Sequence, residues 1–168
     1  MLIEFRFKNY RSFRDEAVLS MEAVGLSSFK KSLIEQNKMK LLPGAAIYGK
    51  NGGGKSNVIR AFWLGVQFIR NAQRIQHEKA SVPVVPFLLD DYSANNPTEF
   101  AFDYIADGIK YWYSFEATKE KIIRESLYHA PKGQKALVFS REQQKFNFTE
   151  DKARRKLISE TVAENQLF

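Results

Sequence analysis

Cysteine is absent from the 168 residues, and histidine occurs only at His77 and His129. Disulfides, thiolate nucleophiles and cysteine-ligated zinc are thereby excluded. Two histidines so far apart argue against a multi-His metal site. Long apolar runs are also lacking: no stretch reaches the roughly 18 residues that a membrane-spanning helix needs. The N-terminus, MLIEFRFKNYRSFR, interrupts its apolar residues with charges, where a signal peptide needs an unbroken apolar core. The expected compartment is the cytoplasm, with no membrane partner.

What is present points to a folded domain. Apolar residues make up 44% and aromatics 14%, with 14 phenylalanines, so the chain is not disordered. Its length fits one domain, able to bury roughly 68–70% of its unfolded surface. The net charge of +7 favours polyanionic partners such as nucleotides or nucleic acid. A lysine-rich soluble surface accounts for it equally well.

Residues 2–8 alternate strictly, with Ile3, Phe5 and Phe7 on one face, and predict a half-buried strand. Ala17–Met21 is expected to pair back on it as a hairpin. Residues 25–40 read as loop or weak helix. Ala45–Tyr48 reads as a buried strand of a sheet covered on both faces. Ser56 to about Gln73 predicts a well-buried helix, on the spacing of Val58, Ile59, Phe62, Val66 and Ile69, widened by Trp63 and Phe68. Pro83 and Pro86 make any strand over 82–89 an edge or irregular one, and 92–97 reads as a loop. Asp107-Gly108, flanked by Glu99–Ile105 and Lys110–Ala117 as strands, marks a hairpin. Ile122–His129, Ala136–Ser140 and Lys145–Phe148 continue an antiparallel meander, after which Thr149 is expected to cap a helix over 151–163.

Residues 49–56 read Gly49-Lys50-Asn51-Gly52-Gly53-Gly54-Lys55-Ser56, a complete G-x-x-x-x-G-K-S phosphate-binding loop. Glycines let the backbone turn its N–H groups inward onto phosphate oxygens. The following helix N-terminus adds partial positive charge. Lys55 is suited to the β- and γ-phosphates and the Ser56 hydroxyl to Mg²⁺. ATP and Mg²⁺ are therefore the expected ligands.

The extended string GKNGGGKSN, the opening FKNYRSF and the later Asp107-Gly108-Ile109-Lys110-Tyr111-Trp112-Tyr113 narrow the class. Together they resemble the ABC-type, AAA-family ATPase heads of the RecF, SMC and OLD group. Among these they look closest to bacterial ATPases of abortive-infection and other phage-defence systems. The resemblance implies an α/β P-loop NTPase half-domain: a P-loop strand and helix plus an antiparallel β-meander lobe. It divides the chain into 1–80 (hairpin, P-loop and helix), 81–148 (antiparallel lobe) and 149–168 (a helix leading toward the Q-loop). It also implies that Gly49 through Ser56 contact nucleotide, with Asn57 and Arg11 as further contacts. For Asn57 the competing role is capping or packing; for Arg11 it is that of a solvent-facing turn arginine.

An ABC head also needs an acidic Walker B pair, a signature string and a switch histidine, and in the family these lie beyond the meander. Phe87-Leu88-Leu89-Asp90-Asp91 imitates a Walker B strand, but Pro83 and Pro86 disfavour a central parallel strand there. The expectation is thus a truncated N-terminal part of an ATPase head. By itself it should bind ATP weakly at most and turn it over negligibly; in full-length form it should dimerise over two nucleotides. The alternative is a nucleic-acid- or partner-binding module with a vestigial P-loop, using Lys152, Arg154, Arg155 and Lys156. A small P-loop kinase or GTPase is disfavoured, because neither a base-reading N-K-x-D string nor a lid-like arginine cluster is present. The stripe Tyr111, Trp112, Tyr113 and Phe115 reads as sheet packing ahead of a base-stacking platform.

Overall fold

A computed structural model describes residues 1–25, 30–72 and 81–168. Seven strands form one antiparallel sheet: β1 (Leu2–Lys8), β2 (Ala17–Ser20), β5 (Thr98–Ala106), β6 (Ile109–Ala117), β7 (Ile122–His129), β8 (Ala136–Glu142) and β9 (Lys145–Phe148). Their order is β2-β1-β5-β6-β7-β8-β9. Only β1–β5 is a non-sequential pairing; the rest is a meander. The β5–β6 turn sets Asp107 at φ 49° and Gly108 at φ 74°, the two positive values that match a tight turn to the twist of its strands.

Helix α1 (Lys55–Arg70) lies across one face of this sheet. The contact is aromatic. Phe5 meets Phe62 edge-on with centroids 5.3 Å apart and tilts against Phe102 at 4.8 Å. Phe68 packs on Phe115. Gly65 permits the closest approach, since a Cβ there would stand 2.7 Å from the Phe102 ring.

Several expectations are corrected. Ala45–Tyr48 forms no strand: Ala45 and Ala46 are exposed, and Tyr48 is 90% exposed. A buried parallel strand needs neighbours on both sides, and among the described residues every ladder is antiparallel with none reaching this segment. Helix α1 is buried on one side only, through Ala61, Leu64, Gly65 and Phe68. Ile59 and Trp63 face outward, because the sheet covers only one flank.

Of the segment read as loop or weak helix, residues 26–29 lie outside the described residues; residues 34–41 hold a second small hairpin, β3 (Ile34–Gln36) with β4 (Met39–Leu41), after a 3₁₀ turn at Lys30–Ser32. Leu41 from β4 packs with Ile3 and Ile105. Ile3 therefore leaves the Phe5 and Phe7 face, at a register irregularity between Leu2 and Glu4.

Residues 92–97 are not all loop: α2 (Asp91–Ala94) is capped by the Asp90 carboxylate, which accepts from the Ser93 N–H at 2.7 Å. Asp90 thus ends no strand. The last helix, α3, is shorter than expected, Lys152–Ser159. Thr149 does not cap it; its hydroxyl donates to the Leu137 and Val138 carbonyls. His129 pairs with Glu150 at 3.1 Å; His77 lies outside the described residues.

The final segment folds onto β7–β9. Glu125 and Arg141, both fully buried side chains and cross-strand partners, meet 3.6 Å apart. Tyr113 Oη donates to Glu125 at 2.6 Å, as does the Phe168 N–H at 3.1 Å. Arg141 donates to the Gln143, Ala163 and Gln166 carbonyls.

Candidate nucleotide site

The glycine-rich loop lies between exposed chain and the first turn of α1. Lys50 and Gly53 close its tight turn, with the Gly53 N–H on the Lys50 carbonyl at 3.1 Å. Gly52 and Gly54 take φ 80° and 85°, a backbone region that costs other residues energy. At Gly54 a side chain is blocked twice, by that φ and by the Phe13 ring 3.0 Å from where a Cβ would sit. Helix α1 then starts on the Gly54 carbonyl, which accepts from Asn57 and Val58.

Lys55 folds back over the loop. Its Nζ donates to the Gly49 carbonyl at 2.7 Å and to the Lys50 carbonyl at 2.8 Å. The first turn of α1 carries no acidic residue, so nothing offsets the positive end of the helix dipole. One ammonium and a helix N-terminus with no side-chain cap make a donor set for a phosphate chain. For Mg²⁺ this loop offers one hydroxyl, that of the exposed Ser56. No group of three His, Cys, Asp or Glu suited to a metal occurs among the described residues.

The other residues read from sequence divide. Asn57 donates from Nδ2 to Ser12 Oγ at 2.8 Å and accepts from Arg60 at 3.3 Å. It ties the helix start to the turn after β1. Arg11 is in that turn at φ 52°, its backbone N–H on the Val85 carbonyl and its guanidinium on Tyr10. The structure brings Ser12, and not Arg11, into hydrogen-bond contact with the α1 start. Ser12 and Phe13 are the residues that sequence reasoning passed over. The FKNYRSF string was their signal. Asn9 in that string is 4% exposed and clamps the turn, with Nδ2 donating to the Ser93 and Asn96 carbonyls and Oδ1 accepting from the Phe87 N–H.

The family model described as "AAA domain, putative AbiEii toxin, Type IV TA system" matches residues 45–167. The chain belongs to this family. The match opens four residues before Gly49 and takes in the loop, α1, the meander and α3. As an AAA-family domain the chain has a P-loop-like α/β fold with a mainly antiparallel sheet, and a nucleotide-binding, ATPase-type function. No curated protein matches the chain. No helix among the described residues is long and apolar enough to cross a membrane.

Proposed function

We propose that this AAA domain binds ATP through Gly49–Ser56 and is the N-terminal part of an ABC-type ATPase head of the RecF, SMC and OLD group. One observation carries the reading. The glycine loop closes into an acid-free helix N-terminus, with the Lys55 ammonium folded over it. In this reading the Lys55 ammonium exchanges the Gly49 and Lys50 carbonyls for β- and γ-phosphate oxygens. The loop amides then hold the remaining phosphate charge, and Ser56 supplies one ligand to Mg²⁺. Bound Mg²⁺ supplies charge neutralisation on the phosphates. The chain's own contribution is positioning, the larger part of phosphoryl-transfer catalysis. Hydrolysis in the full-length protein, as a homodimer over two nucleotides and in a phage-defence or DNA-metabolism setting, belongs to the same proposal. So does the division into 1–80, 81–148 and 149–168.

Calorimetric titration of ATP with Mg²⁺ tests it. Hydrogen bonds to charged groups are worth about 1.5–3 kcal/mol, so Lys55→Ala is expected to weaken binding by roughly 10- to 100-fold. Equal affinity in the two proteins overturns the reading.

A further inference from the structure

Trp112 and Tyr128 are direct partners across β6 and β7. They alternate with Tyr113, Phe115 and Leu127, which face α1 and the core, so the pair lies on the opposite face of the sheet. Both rings are half-buried, and both carry cations. Lys110 Nζ is 4.9 Å from the Trp112 ring, and Lys135 Nζ is 4.9 Å from Trp112 and 4.6 Å from Tyr128.

The nearest acid on the rings' own face, Asp103, is held by Arg6 at 2.9 Å.

We propose that Trp112 and Tyr128 form a stacking platform for single-stranded nucleic acid, with Lys110 and Lys135 taking its phosphates. Flat rings side by side on a sheet offer π-faces to unstacked bases, and such stacking is sequence-tolerant. A duplex keeps its bases stacked on each other and gains only from the lysines. The cation–π contacts are the weaker interaction, so a base can displace each ammonium from the ring and release it to the backbone. The platform is also remote from the glycine loop. Trp112 aligns through Asp103 with Glu4, whereas the loop meets Phe13, which packs on Phe7 further along β1. The proposal therefore stands or falls independently of ATP binding.

The sequence has two tryptophans, so the Trp63→Phe chain reports on Trp112 alone. Titrating it with an oligodeoxythymidylate of about 12 nucleotides, within the usual site sizes, is expected to quench emission saturably without nucleotide present. Fluorescence anisotropy of a labelled oligomer should show roughly tenfold weaker binding for Trp112→Leu. Lys135→Ala and Lys110→Ala, checked for folding by circular dichroism, should each lower the log–log salt slope by about 0.7. Unaltered Trp112 emission on binding overturns the proposal. So does equal affinity for duplex, or binding confined to phosphatidylserine vesicles.

Discussion

Burial of Glu125 makes the stability of this domain depend on pH in an unusual direction. Loss of hydration pushes its carboxyl from the ordinary 4.5 up to about 7, outweighing the hydrogen bonds from Tyr113 and Phe168 and the nearby Arg141 charge. Arg141 is lowered by the same loss of hydration; both partners report that burial outweighs their attraction. A carboxyl whose folded pKa lies above its unfolded one binds its proton more tightly in the native state. Its stabilising effect is complete below pH 4.5 and is lost as pH rises through about 7. The difference amounts to about 3 kcal/mol between those limits. Asp103, also raised by burial, acts in the same direction. With a urea m-value of about 2 kcal/mol/M, the midpoint should fall by about 1–2 M from pH 5 to pH 8, followed by far-UV circular dichroism. Glu125→Gln keeps the shape and an acceptor but cannot ionise, so its midpoint should keep only the part of the slope that Asp103 supplies. A wild-type midpoint that rises with pH, or a Glu125→Gln protein with the full wild-type slope, refutes the reasoning.

Two further substitutions test the packing. Gly65→Ala in an exposed helix would gain about 1 kcal/mol, but here its Cβ would enter the Phe102 ring, and overpacking costs about 1–3 kcal/mol. A lower thermal midpoint is expected, partly restored by adding Phe102→Leu; a rise refutes the close contact. Asn9→Ala removes the clamp on Ser93, Asn96 and Phe87 and strands their buried groups, so a loss of about 3 kcal/mol in urea denaturation is expected. A loss under 1 kcal/mol would mean that water or backbone replaces the side chain.

The meander was legible because its signals are local. Alternation over 2–8 and the Asp107-Gly108 turn between 99–105 and 110–117 specify strands and register without reference to the rest of the chain. The phosphate loop was legible because eight positions specify one backbone path. Ala45–Tyr48 failed as a strand because an apolar run states only that burial is favourable, not what buries it. The β3–β4 hairpin failed because three-residue strands are too short for periodicity to register. Its turn is made by Asn37 and Lys38 at φ 50° and 64°, with no glycine to mark it. Nothing in the local sequence marks Glu125 and Arg141 as buried. Their burial depends on residues 163–168 folding back over them, a contact between positions far apart in sequence.

The candidate site is therefore positioned by the sheet more than by the segment that precedes it. Tyr48 and residues 43–46 lie exposed and contribute little to fixing the loop in space. The fixing comes from the other side. Phe13 stacks edge-on to Phe7 of β1 at 4.9 Å and fills the space that a Gly54 side chain would need. Ser12 accepts from Asn57 in the first turn of α1. Further along, Gly65 settles the helix on Phe102. Asn9 holds the turn bearing Ser12 and Phe13 against 87–97. These contacts link the phosphate donors of Lys55 and the α1 N-terminus to a rigid aromatic core. Substitutions at Phe13 or Asn9 thus act on the loop through its placement, while Lys55 acts on phosphate directly. This explains why the FKNYRSF turn and the GKNGGGKSN loop, nearly 40 residues apart in sequence, serve one site.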